Sequence, residues 1–216
     1  MKEKELLTPP EDIDGFGKKG IYEENGGVNV KRIVCIGDSN TYGYDPRSFA
    51  GSRYPEGVRW TGILKAAGFE VINLGQNGLC IPPKVQFRLF QNMIRSYMPA
   101  DVIIVMLGSN DLLNGSTVSE ATEKMSVFLA ACEEAFPDSA LLLVAPPPMQ
   151  VGEWVQTKDL IEKSRALGKT YRALAERKGV LFADSGRWKI PLTYDGVHFT
   201  EEGHRRFASG IAAALP

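Results

Sequence analysis

One serine and one histidine in this sequence stand in contexts that suit nucleophilic chemistry. Ser39 lies in GDSNT at residues 37–41, and His198 lies three residues after Asp195 in DGVH. A serine hydroxyl is a weak nucleophile until a base takes its proton, and histidine, with an unperturbed pKa of about 6.5, suits that task near neutrality. The imidazolium that forms needs a carboxylate to orient it. Ser39, His198 and Asp195 are therefore candidates for nucleophile, general base and orienting carboxylate.

Three donors could stabilise the negative charge that develops when such a hydroxyl attacks a carbonyl group. They are the backbone N–H of Ser39, the backbone N–H of Gly78 in NLGQNG and the side-chain amide of Asn110 in GSND. Donors that are already in place form an oxyanion hole, and a glycine lets the backbone approach a substrate closely. Gly75 is a second glycine in the same segment, but the spacing to Asn73 favours Gly78. Together the four segments contain what acyl transfer requires.

The histidine count narrows the choice of base, because the chain has only two. His204 stands in a helical pattern beside Arg205 and Arg206, and we expect it on the solvent face of that helix. His198 has Asp195 nearby, which favours it as the catalytic imidazole.

Each segment alone has a simpler interpretation. GDS is a common turn composition, the Asn110-Asp111 pair could cap a helix, and Asp195-Gly196 could form only a turn. The order of the four segments, each directly after a predicted strand, is what favours a shared site.

The pattern around these segments predicts five β-α units. From Lys31 onward, apolar runs of strand length alternate with longer amphipathic segments. The predicted strands are RIVCIG, EVINLG, DVIIVMLG, ALLLVAP and VLFADSG, and the predicted helices are VRWTGILKAAG, VQFRLFQNMIRS, VSEATEKMSVFLAACEEAF, KDLIEKSRALGKTYRALAERKG and EEGHRRFASGIAAAL. Such strands predict a five-stranded parallel sheet covered on both faces, in a three-layer α/β/α doubly wound fold. Loops after the carboxyl ends of its strands would bring the four segments to one edge.

Helix ends and domain limits can also be predicted. Gly68 and Gly179 stand where helix C-caps are expected, and Thr200 is a candidate N-cap for the last helix. Residues 1–29 cluster Pro, Gly, Asp and Lys and show neither a helix nor a strand period. We therefore expect an N-terminal extension over 1–29 and one domain over 30–216.

Composition excludes several classes of protein. The 216 residues carry 25 Lys and Arg against 26 Asp and Glu, a net charge of −1, which provides no basic field for nucleic acid or an anionic membrane. Apolar runs such as residues 102–107 are far shorter than the roughly 20 residues of a membrane span. Three cysteines without metal-ligand spacing predict a reducing cytoplasm and no metal site. The expected partner is a small molecule or another protein.

The segments GDSNT, NLGQNG, GSND and DGVH resemble the four blocks of the SGNH, or GDSL-type, hydrolase family, and the likeness covers the chain from Lys31 onward. RYPEGVRWTGIL, DVIIVMLGSND, LLLVAPPPM and DGVHFTEEG resemble in particular its bacterial arylesterase and acyltransferase branch. The resemblance implies a flavodoxin-like fold and a serine esterase that acts without a cofactor on esters of small or medium acids. It also implies a homo-oligomer. By position, Ser39, Asp195 and His198 would form the triad, and Ser39, Gly78 and Asn110 the oxyanion hole.

One residue departs from the family pattern, and two other functions stay open. Asn40 stands where leucine often occurs, and we expect its side chain to matter little to the mechanism. In the esterase itself, acyl transfer to alcohols could accompany hydrolysis. A carbohydrate deacetylase is one alternative, which would share the mechanism and differ in the leaving group. A non-catalytic flavodoxin-like module that binds a flavin or phosphate is a less favoured alternative, because Asp38 would place a carboxylate beside the phosphate.

Overall fold

The computed structural model describes residues 21–24, 27–48 and 50–216. Two short strands, β1 (Ile21–Glu24) and β2 (Gly27–Val30), pair with each other in an antiparallel hairpin. The other strands of the described residues form one parallel sheet, and they are β3 (Arg32–Gly37), β4 (Glu70–Asn73), β5 (Val102–Met106), β6 (Ala140–Ala145) and β7 (Leu181–Asp184). Their order across the sheet is β4-β3-β5-β6-β7, which is the flavodoxin-like arrangement.

Helices cover both faces of the parallel sheet. Within the described residues they are α1 (Ser39–Tyr42), α2 (Trp60–Ala66), α3 (Phe87–Arg95), α4 (Ser109–Leu113), α5 (Val118–Ala135), α6 (Lys158–Lys178) and α7 (Glu201–Ala214). Side chains of α3, α5 and α6 share one apolar cluster with the sheet, and side chains of α2 and α7 share another on the opposite face. The predicted three-layer α/β/α fold with a five-stranded parallel sheet is therefore confirmed.

The strands are apolar throughout because both of their faces are buried. In β3, Ile33 and Cys35 point toward α2 and α7, whereas Val34 and Ile36 point toward α3 and α5, and all four are at most 1% exposed. Successive side chains of a strand alternate between the two faces, so a continuous apolar run is required here.

Two of the three predicted helix ends, Thr200 and Gly179, are confirmed, whereas the C-cap of α2 is Ala67, one residue before the predicted Gly68. Thr200 precedes α7 and accepts a hydrogen bond from the backbone N–H of Gly203 at 3.0 Å. Gly179 ends α6 with φ of 70°, and Gly68, with φ of 96°, follows α2. These caps set the points at which the chain leaves each helix for the next strand.

Two predictions are wrong, one about the residues before β3 and one about His204. Residues 21–24 and 27–30 form the β1–β2 hairpin, in which Ile21 pairs with Val30, whereas the absence of a strand period predicts no strand before residue 30. Asn25-Gly26 in the sequence is a dipeptide typical of such turns, and it was the signal that could have revealed the hairpin. Residues 1–20 and 25–26 of the expected extension lie outside the described residues.

The second error concerns His204, which is completely buried. It lies on the stripe of α7 that contains Phe207, Ala208 and Ile211, all packed against the sheet. The 3-and-4 spacing of His204 to those apolar residues indicates the buried face of the helix, whereas the adjacent arginines give no information about which way His204 faces.

Candidate active site

Three of the predicted site segments lie at the place where the strand order reverses. Ser39 follows β3, Gly78 follows β4 on one side of it, and Asn110 follows β5 on the other. Ligands bind outside the carboxyl ends of the strands at this point in open α/β sheets. The sheet topology therefore brings the three segments to one edge.

A chain of hydrogen bonds joins Asp195, His198 and Ser39. His198 Nε2 lies 2.9 Å from Ser39 Oγ, and His198 Nδ1 lies 2.7 Å from Asp195 Oδ2. Because an ionised carboxylate can only accept, Nδ1 carries the proton and leaves the Nε2 lone pair directed at the hydroxyl. His198 is 2% exposed and Asp195 1%, so solvent weakens these contacts little. The arrangement can remove a proton from Ser39.

The carboxylate of Asp195 is held in its ionised form. Its Oδ1 accepts the backbone N–H groups of Val197 at 2.8 Å and of His198 at 2.9 Å. Burial alone would raise the pKa of Asp195, but these bonds and the bond from the His198 ring outweigh it and hold the pKa well below the usual range. A negative charge is thus maintained beside the imidazole.

The turn that carries His198 depends on glycine. Gly196 has φ of 82°, and a Cβ atom there would lie 2.2 Å from the carbonyl oxygen of Gln150. The Gln150 N–H donates to the Gly196 carbonyl at 3.0 Å, and the Trp154 N–H donates to the Asp195 carbonyl at 3.1 Å. The loop after β6 therefore supports the turn through its backbone.

Gly75 and Gly78 have different roles in the loop after β4. The N–H of Gly75 donates to the Asn73 side chain at 2.9 Å, and a Cβ atom on Gly75 would lie 2.2 Å from the backbone nitrogen of Tyr42. Gly75 therefore allows this loop to pack against α1. Gly78 has φ of 72° and open space around it, and its N–H donates to no acceptor in the described part of the chain. The Gly78 N–H is thus the one available to a substrate.

Asn110 and Asp111 hold the same loop from the other side. Asn110 Nδ2 donates to the Leu79 carbonyl at 3.1 Å, and a second amide hydrogen remains on that nitrogen. The buried carboxylate of Asp111 accepts the Ile81 N–H at 2.9 Å and the Lys124 ammonium at 3.1 Å. These bonds fix the segment that follows Gly78, and therefore the position of Gly78 itself.

Asp38 is a buried carboxylate directly before Ser39. It caps α1 by accepting the Asn40 N–H at 3.0 Å. Burial raises the pKa of Asp38 to about 6, and the hydrogen bond from Asn40 limits the rise. Within the described residues, no group of three or more His, Cys, Asp or Glu side chains could hold a metal ion.

Aromatic side chains flank the imidazole, and the sequence points to only one of them. The rings of Tyr44 and Trp154 lie 4.8 and 5.0 Å from the His198 ring, and Trp154 is 52% exposed. Trp154 is a candidate for a pocket wall from sequence alone because it follows β6. Tyr44 gives no such signal, because its contact depends on how the loop after α1 folds back.

The chain also matches a known protein family over most of its length. Residues 35–206 match the model of the GDSL-like lipase/acylhydrolase family, and the chain belongs to that family. The resemblance to SGNH hydrolases is therefore confirmed. A comparison with curated proteins gave no match.

Solved structures of the family are similar over most of their length. The aryl esterase of M. smegmatis is 29% identical with a TM-score of 0.73, and the match covers 86% of this chain and 100% of that one. A carbohydrate acetylesterase from Sinorhizobium meliloti is 28% identical with a TM-score of 0.72, covering 85% and 97%. A member of the lipolytic G-D-S-L family from Veillonella parvula, 19% identical with a TM-score of 0.68 over 86% and 98%, shares the fold. The protein is an ester hydrolase whose substrates are small-molecule esters.

Among the helices that the structure describes, none combines the length and apolar character of a membrane span. Cys35 lies in β3, Cys80 in the loop after β4 and Cys132 in α5, and all three are free thiols.

Proposed function

We propose that this esterase hydrolyses esters of small or medium acyl groups through an acyl-enzyme on Ser39. The observation that carries the proposal is the buried chain of hydrogen bonds from Asp195 through His198 to the Ser39 hydroxyl. The aryl esterase and acetylesterase among the similar structures support the substrate class.

In the first half of the reaction, His198 Nε2 takes the Ser39 proton while Oγ attacks the ester carbonyl carbon. The carbonyl oxygen becomes an oxyanion, and the backbone N–H groups of Ser39 and Gly78 and the amide of Asn110 stabilise it. The Ser39 N–H is free for this role because the first residues of a helix have no intrahelical acceptor. The imidazolium, stabilised by Asp195, then gives its proton to the departing alcohol as the ester C–O bond breaks.

In the second half, water takes the place of the alcohol. His198 removes a proton from that water as its oxygen attacks the acyl-enzyme, and the proton returns to Ser39 Oγ when the acid leaves. An alcohol that enters instead of water would yield a new ester. We propose that such acyl transfer accompanies hydrolysis, because Ser39 and His198 are both nearly buried and a site that excludes water suppresses hydrolysis of a reactive intermediate. Product analysis with a primary alcohol added to the assay measures the ratio of ester to acid.

Carbohydrate deacetylation is a second candidate function. Trp154 presents an exposed indole whose ring lies 5.0 Å from the His198 ring, which protonates the leaving alcohol. A flat aromatic ring in this position suits a sugar ring as well as an aryl group. A panel of acetylated sugars and aryl acetates separates the two, because a deacetylase would show the higher kcat/KM on the sugars.

The test of the proposed function compares the wild type with Ser39→Ala on p-nitrophenyl acetate. Loss of the nucleophile should lower kcat by several orders of magnitude. Ser119→Ala, at an exposed serine near the start of α5, is the matched control and should keep wild-type turnover. Equal rates for wild type and Ser39→Ala would reject the proposal.

We further propose a cytoplasmic homo-oligomer made of a domain at 30–216 and an extension at 1–29. The three free thiols support a reducing compartment, and the arylesterase branch that the sequence resembles supports association. A monomer mass by light scattering would contradict the oligomer.

A further inference from the structure

The side chain of Asn40 bridges the two separate parts of the candidate active site. Its Nδ2 donates to the Val197 carbonyl at 3.1 Å, and its Oδ1 accepts the Phe199 N–H at 2.9 Å. The first acceptor belongs to the peptide group before His198 and the second donor to the peptide group after it. One carboxamide therefore holds both peptide groups that flank the imidazole-bearing residue.

Asn40 is itself firmly held. Its backbone N–H donates to Asp38 Oδ1 at 3.0 Å, and its carbonyl accepts the indole N–H of Trp60 at 3.1 Å. Asn40 is 5% exposed, and Trp60 is completely buried. The carboxamide is thus a rigid extension of the short helix that begins with Ser39.

The other bonds of His198 do not provide this link. The bonds between Asp195 and His198 lie within one turn and orient the ring relative to that turn. The bond to Ser39 Oγ joins the turn to α1, but the reaction breaks it when the hydroxyl loses its proton. A connection that persists through the reaction must come from a group that does not react.

We propose, on the basis of the proposed serine esterase function, that Asn40 is a positioning residue that fixes His198 relative to Ser39 throughout the catalytic cycle. The hydrogen bond that the Asn40 side chain donates and the one that it accepts together define the position and the orientation of the His198 backbone. Leucine, the residue that the family pattern often has here, can make neither bond. Small displacements of catalytic groups lower rates strongly, by up to about 100-fold for a shift of 1 Å.

The test measures turnover per active site in Asn40→Leu. A fluorophosphonate, incubated until labelling is complete, reports by mass spectrometry the fraction of protein that carries a reactive Ser39. For Asn40→Leu we expect kcat per labelled site on p-nitrophenyl acetate to fall by roughly 10- to 100-fold, with KM changed less than about 2-fold. A merely structural role would lower the labelled fraction and leave turnover per labelled site unchanged, and that result would overturn the proposal.

Two further variants complete the experiment. Asn92→Leu, at an exposed asparagine of α3, is the matched control and should keep wild-type turnover per site. Asn40→Asp keeps the shape and the acceptor for the Phe199 N–H but loses the donor to the Val197 carbonyl, and we expect turnover per site between the wild type and Asn40→Leu. If Asn40→Leu does not fold, Asn40→Asp decides, and wild-type turnover per site in it would overturn the proposal.

An NMR measurement reports the position of the His198 ring independently of turnover. The proton on His198 Nδ1, shared with Asp195, should give a low-field NMR signal in the wild type and in Asn92→Leu. Asn40→Asp should broaden or shift it, and an unchanged signal would count against the proposal. If the wild type and Ser39→Ala have equal activity, the serine esterase function fails on its own, independently of what Asn40 does.

Discussion

His198 Nε2 lies within hydrogen-bond distance of Ser39 Oγ, at 2.9 Å, although the two residues are 159 positions apart in the chain. Ser39 is placed by the end of β3, and His198 by a turn between β7 and α7. The two residues therefore meet only when the parallel sheet from β3 to β7 has formed. The hydrogen bond also means that the proton acceptor is in place before a substrate arrives.

Replacement of Asp195 by asparagine should remove most of the activity without affecting substrate binding. The amide introduced by Asp195→Asn would donate toward Nδ1 and favour the other imidazole tautomer, so Nε2 would carry a proton and could not accept one from Ser39. We expect kcat to fall by about 10³- to 10⁴-fold with KM nearly unchanged. Steady-state kinetics on p-nitrophenyl acetate measure both values. Asp159→Asn, at an exposed carboxylate paired with Lys163, should behave as the wild type.

The two glycines after β4 should respond differently to alanine. Gly78→Ala adds a Cβ in open space at a positive φ, so we expect a folded protein that is about 1 kcal/mol less stable and has a lower kcat. Gly75→Ala places a Cβ against the backbone of Tyr42 and should prevent normal folding. Circular dichroism, thermal unfolding and kcat distinguish the two. A stable, fully active Gly75→Ala together with an unfolded Gly78→Ala would contradict the assignment.

Neutralisation of Asp38 should stabilise the protein at neutral pH. The pKa of Asp38 is about 6 in the folded state and has its ordinary value of 3.8 in the unfolded state. The folded state therefore binds the proton more readily than the unfolded state, and the free energy of unfolding decreases as pH rises from 3.8 to 6. Asparagine keeps the acceptor for the Asn40 N–H without the buried charge. We expect Asp38→Asn to be more stable than the wild type by up to about 3 kcal/mol at pH 8 and equally stable near pH 4.

Urea unfolding at pH 4, 6 and 8 measures this difference. Asp138→Asn, at an exposed carboxylate, should leave the free energy of unfolding unchanged at every pH. A stability difference for Asp38→Asn that does not vary with pH would show that its carboxyl group does not titrate as described.

His204 should make the protein sensitive to acid. Burial lowers the pKa of His204 to about 3, with Arg59 adding repulsion, so between pH 6.5 and 3 only the unfolded state takes up the proton. Stability from this residue is therefore complete above pH 6.5 and declines as pH falls. His204 Nδ1 accepts the backbone N–H of Trp60 at 3.4 Å, and Nε2 has no hydrogen-bond partner in the described part of the protein.

We expect His204→Leu to remove this acid sensitivity. The free energy of unfolding of the wild type, relative to His204→Leu, should fall by about 1.4 kcal/mol for each pH unit between 6 and 4. Denaturant unfolding at several pH values gives the two slopes. Parallel slopes would contradict the buried, neutral state of His204.

The fold could be predicted because its signals are local. Apolar runs such as β5 and the amphipathic stripe of α5 follow from side-chain burial within a single element, and Thr200 caps a helix through residues that directly follow it. The burial of His204 could not be predicted from its immediate neighbours. The adjacent arginines indicate a solvent-facing position, whereas Phe207 and Ala208, three and four positions later, lie on the buried face of the helix with it.

The site could be predicted only where residue type alone is informative. Ser39, His198 and Asp195 are recognisable by their chemistry, and the sheet topology then brings them together. Asn40 bonds to peptide groups 157 and 159 positions away, and nothing in its local sequence reveals that contact. Tyr44 likewise meets the imidazole through the tertiary structure alone.

The distance along the chain between nucleophile and base has a consequence for the order of folding. Contacts between remote segments form late, because the entropy of closing a long loop must first be overcome. Helix content and compaction should thus recover early during refolding, and ester turnover should return last. Enzymatic assay is consequently a stricter gauge of a completely native chain than any spectroscopic signal from its helices.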